Sequence, residues 1–383
     1  MWTFENIEIV LFWISAFMIF WTYAGYPIML ALIGLIWSRK PKFDNILPDI
    51  SLVITAYNEE EQIARKLENS LMLDYPKDKL EIIVASDGST DRTDEIVRSF
   101  QNQGIKLLSI PGRNGKHYCQ GRGIQATKND LVVLSDATTF LEKDSLKKII
   151  RSFGDSKIGC VSGVDSVKTS KDNPSGEGAY VRYEMKLRSL ESKVGSLVGV
   201  SGCFFAVRKE LCNEWIDNMS SDFYMPIITY IRGFRTVLEN EAVAYYEILR
   251  SADKEYTRKV RTIVHGLEVF FHFKKILNIF KYGFFTIQIV SHKLLRWLAP
   301  FFMILLFGVN IPLAISNPFY YLLLLLQIIY YVMALTTYFF RKLEGYSIFK
   351  IPLFFAMVNV SIIVSWYYFL RKKDFIVWQP TER

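Results

Sequence analysis

"EIIVASDGSTDRTDEIV", residues 81–97, begins as an apolar run and breaks abruptly into Ser86-Asp87-Gly88-Ser89-Thr90-Asp91. It reads as a strand, a sharp glycine turn and a helix. Ser89 or Thr90 is the expected cap, with Asp91, Asp94 and Glu95 in the first helical turns. In open α/β sheets, ligands bind where strands end and helices begin. The same pattern repeats on both sides. "ISLVITAY" (50–57) is an apolar run leading into the helical "EEEQIARKLENSL" (59–71), whose three leading glutamates suit a helix N-terminus. "IKLLSI" (105–110) is a third strand, and "RNGKHYCQGRGIQAT" (113–127) a glycine turn entering a helix. "DLVVLSD" (130–136) and "IGCVSG" (158–163) read as the fourth and fifth strands. This alternation predicts an α/β fold with a mostly parallel, doubly wound sheet flanked by helices.

Polar groups gather where these strands stop: Asn58 and Glu59 after the first, Asp87 after the second, Gly115 and Lys116 after the third, Asp136 after the fourth. In a parallel sheet those four ends share one edge. A site for a polar, phosphate-bearing ligand is expected there. No dinucleotide glycine fingerprint follows the first strand, and no phosphate loop ending in Gly-Lys-Ser/Thr occurs, which weighs against a nicotinamide or ATP enzyme.

The rest of the chain is of another kind. Hydrophobic residues make up 51% of the 383, and they pile up in Ile9–Trp37 and from about Leu298 to Leu370. A membrane helix needs roughly 20 apolar residues. Ile9–Trp37 exceeds that without one charge, and lacks the basic leader and small-residue cleavage site of a removable signal. The C-terminal block divides into Leu298–Ile315, Pro318–Phe340 and Ile348–Leu370. The expected organisation is a transmembrane helix in 1–39, a globular domain in 40–250, amphipathic interfacial helices in 251–297 and a transmembrane region in 298–383. In 257–282, Phe270, Phe271, Phe273, Ile276, Leu277 and Phe280 interleave with Lys274, Lys275 and Lys281, a pattern suited to the bilayer interface.

The net charge of +8 gathers beside the apolar segments, in "SRKPK" (38–42), "TRKVRT" (257–262), "HFKK" (272–275) and "RKK" (371–373). Membrane lipids therefore account for the basic balance, and no nucleic-acid motif accompanies it. "SRKPK" after the first span places the globular domain in the cytoplasm of an integral cell-membrane protein. Three further spans then put Arg371, Lys372 and Lys373 outside, against the positive-inside rule. The four cysteines show neither metal-ligand spacing nor a disulfide framework.

"ITAYNEEEQI", "IIVASDGSTDRT", "RNGK" and "LVVLSDATT" resemble, in order and spacing, the nucleotide-sugar-binding half of the family-two inverting glycosyltransferases. The likeness continues through "SGCFFAVRKEL" (201–211), the segment 220–247 and "YTRKVRT" (256–262), then into spans like those of membrane-integrated polysaccharide synthases. The resemblance implies a GT-A nucleotide-diphospho-sugar transferase domain inserted between one N-terminal and about three C-terminal transmembrane helices. It implies that Ala56, Asn58 and Glu59 line the nucleotide pocket, that Asp87 meets the base, and that Lys116, presented by Gly115, contacts base or pyrophosphate. Gly202, Arg258 and Arg261 join them as substrate-binding residues. Asp222 matches the catalytic base, and Asp136 the first aspartate of the Asp-x-Asp motif that holds magnesium or manganese.

The chain departs from the family pattern in several places. It reads Asp136-Ala137-Thr138, without the second carboxylate, and has Ser86 and Ser221 where relatives often carry acids. Arg258-Lys259-Val260-Arg261-Thr262 lacks the glutamine and tryptophan of the Gln-x-x-Arg-Trp motif found in polymer-making relatives. The resemblance thus implies transfer from a nucleotide-sugar, with uridine the expected base, to a lipid-linked or saccharide acceptor. Processive polymer synthesis and a catalytically degenerate nucleotide-binding membrane protein are the alternatives.

Overall fold

The computed structural model describes residues 4–39, 41–167, 176–246 and 252–373. The segment boundaries placed at 39/40 and 250/251 touch residues outside these ranges. One sheet of eight strands organises the globular part: β1 (Ile50–Ala56), β2 (Leu80–Asp87), β3 (Ile105–Ile110), β4 (Leu131–Asp136), β5 (Phe140–Leu141), β6 (Ile158–Val167), β7 (Phe204–Arg208) and β8 (Arg235–Tyr246). Their order across the sheet is β3-β2-β1-β4-β7-β6-β8-β5. The first four pair in parallel, with Thr55 opposite Asp136 and Asp87 opposite Ile110, so their C-terminal ends lie level. β7 then runs antiparallel between β4 and β6, and β8 pairs parallel to β6.

β1 is buried along nearly its whole length because both its faces are covered, as expected for a central parallel strand. Ile50, Leu52 and Ile54 pack with Val84 and Val133 on one side, while Val53 packs with Val132 and Leu134 on the other.

Two helices begin later than the sequence pattern predicts. The first runs Ile63–Leu71, not from Glu59. Glu59 N–H donates to Thr93 Oγ1 at 2.8 Å and Glu60 N–H to the Asp91 carboxylate at 3.1 Å, so the next loop takes the donors a helix start would leave. The helix after β2 is Thr93–Ser99, and Asp91 accepts from Thr93 N–H. Ser89 and Thr90 are not its caps, since they bond Asn58 instead. The two loops are stitched together at the strand ends. Gly88 makes the turn possible: its φ is +65°, and a Cβ there would lie 2.2 Å from the Gly112 carbonyl.

Among the described residues, four helices are long and apolar enough to cross a membrane: Phe4–Ile36, Phe284–Ser316, Pro318–Phe339 and Ser347–Leu370. Ile36, Ile315 and Leu370 expose their side chains on them. The second starts at Phe284 rather than Leu298 because His292 and Arg296, which interrupt the apolar pattern, are turned inward and buried. A π-helical turn, Val290–Leu294, carries that stretch. Just before it, the short helix Ile279–Tyr282 holds Phe280 fully exposed between Lys275 and Lys281.

Candidate functional site

The level strand ends of β1, β2 and β4 open into a cavity of about 350 Å³. Every residue read from the sequence as a site residue lines it, except Asn58. Asn58 adopts φ +50° and accepts a hydrogen bond from Thr90 N–H at 2.8 Å, so its side chain shapes the loop.

Asp87 ends β2 almost buried. One of its oxygens accepts from Asn114 N–H at 2.8 Å and the other from Gly115 N–H at 2.7 Å. The carboxylate thereby ties down the turn in front of Lys116, the first residue of the helix Lys116–Ala126. The Lys116 ammonium lies 2.6 and 2.8 Å from the two oxygens of Asp136 and 2.8 Å from the Gly202 carbonyl. Three segments distant in sequence meet at that nitrogen.

Asp136 therefore already faces a cation. Among the described residues no three His, Cys, Asp or Glu side chains converge as a closed metal site. One carboxylate beside an open cavity, with Thr138 and Asp165 in the same wall, suits a hard divalent ion that draws its remaining ligands from phosphate oxygens and water. The residues present fit magnesium or manganese in that open form.

Asp222 sits in the first turn of the helix Ser221–Ile231, where the dipole favours a negative charge. Ser220 Oγ donates to its Oδ1. Gly202 stands directly across: a Cβ there would lie 3.4 Å from Asp222 Oδ2, in van der Waals contact with the carboxylate. From the opposite wall the helix Ala252–His272 contributes Arg258, Arg261, Thr262 and His265. Burial, and then the neighbouring Arg258, lower the pKa of Arg261. Two like charges held together at a cavity wall favour an anion between them.

Sequence reasoning missed His117, which follows Lys116 and lines the cavity. Its Nδ1 faces Gln120 Oε1 at 3.2 Å and Ser221 Oγ at 3.3 Å. Burial first, and the Lys116 charge second, lower the imidazole pKa to about 4, with Asp222 opposing them, so the ring stays neutral near pH 7. His117 joins the donor-side helix to the helix that carries Asp222. Its only signal in the sequence is adjacency to Lys116. Asp165, near the end of β6, was missed as well.

The comparisons agree with this architecture. The family model for glycosyl transferase family 2 matches residues 51–216. The poly-beta-1,6-N-acetyl-D-glucosamine synthase of Staphylococcus aureus strain COL is 26% identical over 242 residues, covering 61% of this chain and 58% of that protein. The Staphylococcus epidermidis protein of the same name is 25% identical over 229 residues, covering 57% and 55%. The chain thus spans little more than half the length of the curated relatives it matches. Among solved structures, a Pyrobaculum calidifontis mannosyltransferase in complex with GDP-Man and Mn2+ superposes with a TM-score of 0.71 at 19% identity, covering 95% of this chain and 100% of that one. The superposition shows a shared fold over nearly the whole chain, and the family-model match identifies residues 51–216 as a glycosyl transferase family 2 domain.

Proposed function

We propose that the protein transfers a sugar from a nucleotide-diphospho-sugar to an acceptor at the membrane surface, with inversion at the anomeric carbon. The observation that carries this reading is the convergence of Lys116, Asp136 and Asp222 with two arginines on one cavity. The Asp222 carboxylate takes the proton from the attacking acceptor hydroxyl. The new glycosidic bond forms as the bond from the anomeric carbon to the diphosphate breaks, and the nucleoside diphosphate leaves with the electron pair. Lys116, Arg258 and Arg261 balance the charge on that leaving group. A magnesium or manganese ion held by Asp136 would add Lewis-acid stabilisation of the diphosphate. The turn fixed by Asp87 orients the nucleotide end.

The acceptor in this reading is lipid-linked, because the cavity wall formed by Ala252–His272 continues into Phe280 and the flanking lysines, which suit lipid headgroups. The basic residues beside the spans favour a cytoplasmic placement of the domain. Single addition is favoured over polymer extension, since Thr262 stands in the cavity where the polymer-making pattern has tryptophan. Purified full-length protein with manganese and a panel of UDP-, GDP- and dTDP-sugars tests the reading. Release of one nucleoside diphosphate, accelerated by a lipid-linked saccharide, is the expected result, with UDP the expected nucleotide. No release above a protein-free control with any donor would contradict it.

A further inference from the structure

Behind Asp222, on the side away from the nucleotide end, the domain meets the membrane helices through a cluster of buried charges. Glu184, Arg188 and Glu191 lie along one face of the helix Gly176–Val194, and His292, Lys293 and Arg296 along the start of the second span. The carboxylates are heavily used. Glu184 faces His292 Nε2 at 2.9 Å and Arg296 Nη1 at 2.8 Å. Glu191 Oε1 accepts from Tyr26 at 2.6 Å and faces His292 Nδ1 at 2.8 Å. The cations are not used up. Among the described residues, Nε and Nη2 of Arg296, which is nine-tenths buried, have no hydrogen-bond acceptor, and neither do Nε and Nη1 of Arg188. The nearest approach of Arg188 to an anion is 3.5 Å, to Glu184.

Lys293 sharpens the imbalance. Its ammonium rests 5.4 Å above the Phe223 ring and makes no hydrogen bond or ion pair among the described residues. It lies within electrostatic range of Glu184, Arg188, Arg296 and Asp222. Against these buried donors stands one unpaired carboxylate oxygen, Glu191 Oε2. A buried donor without an acceptor costs about 1–3 kcal/mol. Several of them at one place, where the domain meets an apolar span, call for a group with many acceptor oxygens.

We propose that Arg188, Lys293 and Arg296 form a binding site for the phosphate or diphosphate head of a lipid, and that this head anchors the acceptor beside Asp222. The inference deepens the lipid-linked reading above and rests on it. Guanidinium forks suit phosphate oxygens, and a lysine on a flexible stem closes the remaining side. The lipid tail then runs along the second span, and the linked saccharide reaches forward to the base. Nothing covalent happens at this site.

The test is isothermal titration of detergent-purified full-length protein, saturated with nucleoside diphosphate, using farnesyl diphosphate, farnesol and inorganic pyrophosphate. Farnesyl diphosphate should bind, farnesol should not, and pyrophosphate should bind more weakly. Lys293→Met and Arg188→Gln should each weaken farnesyl diphosphate about tenfold or more while leaving nucleotide affinity intact. Lys293→Met deletes no hydrogen bond, and a melting temperature matching wild type separates its binding defect from a folding defect. Equal binding by wild type and Lys293→Met would overturn the proposal. So would pyrophosphate binding as tightly as the lipid, which would mark a free-anion site. Because no sugar donor is present, the titration reads this site independently of glycosyl transfer.

Discussion

The two walls around Asp222 are built in opposite ways. The donor wall is assembled from consecutive strand–turn–helix units, each ending in a polar residue that the parallel register brings to one edge. Its ion pair, Lys116 with Asp136, faces an open cavity. The membrane-side wall joins a domain helix to two spans and buries its charges, with His292 bridging two carboxylates. The first wall holds its ligand-binding groups within reach of water. The second has desolvated them in advance, and a desolvated charge gains most from a well-matched partner. Chemistry belongs at the seam between the two, which is where Asp222 stands.

Substitutions on the two walls should therefore fail differently. On the proposed role of Asp222 as general base, Asp222→Asn should lower turnover by about 10²–10⁴-fold while nucleotide binding survives. Steady-state rates and nucleotide titration on the same purified variant read both. Turnover near wild type would detach Asp222 from the chemistry. Lys116→Met should act on the donor wall alone, weakening nucleotide-sugar affinity about ten- to a hundredfold, as expected for losing a charge-assisted contact. If it weakened the lipid probe equally, the two walls would not be separable.

How much of this was legible in sequence follows the same division. Asp87, Lys116 and Asp136 could be placed because each ends a strand, and the alternation of elements alone implies a shared edge. Asp222 needed the family pattern, since β7 and its antiparallel partners interrupt the regular order before it. The junction was not legible. Glu184, Arg188 and Glu191 recur at helical spacing in an ordinary-looking surface helix, and only tertiary packing turns that face inward. The span was placed from Leu298 for the same reason: His292, Lys293 and Arg296 look like an interruption until Glu184, far away in sequence, appears as the partner of His292 and Arg296. Helix starts shifted at Glu59 and Ser89 because the two loops satisfy one another's backbone groups, a pairing 31 to 34 residues apart that local capping rules do not see.

Two smaller effects sharpen the comparison. Gly88→Ala should destabilise the domain by about 1–3 kcal/mol, since a left-handed backbone and a carbonyl in the Cβ position both oppose it. Thermal melts of the two proteins measure this, and an unchanged melting temperature would show the donor turn to be less constrained than its geometry indicates. His117 offers a pH signature. Its folded pKa is lowered below the unfolded value near 6.5, so between that value and about 4 the unfolded chain binds more protons. Stability should therefore fall as pH drops through this window. His117→Gln should flatten that part of the denaturation-versus-pH curve, and an identical slope in both proteins would mean the imidazole is solvated.

The account stands on a single displacement in which one carboxylate, Asp222, acts opposite the Lys116–Asp136 pair. The most direct test is proton NMR of the first product formed from an α-linked nucleotide-sugar, read before any anomeric equilibration. A β-linked product is the predicted result. An α-linked product would require a second nucleophile or a different geometry of attack, and would contradict the account.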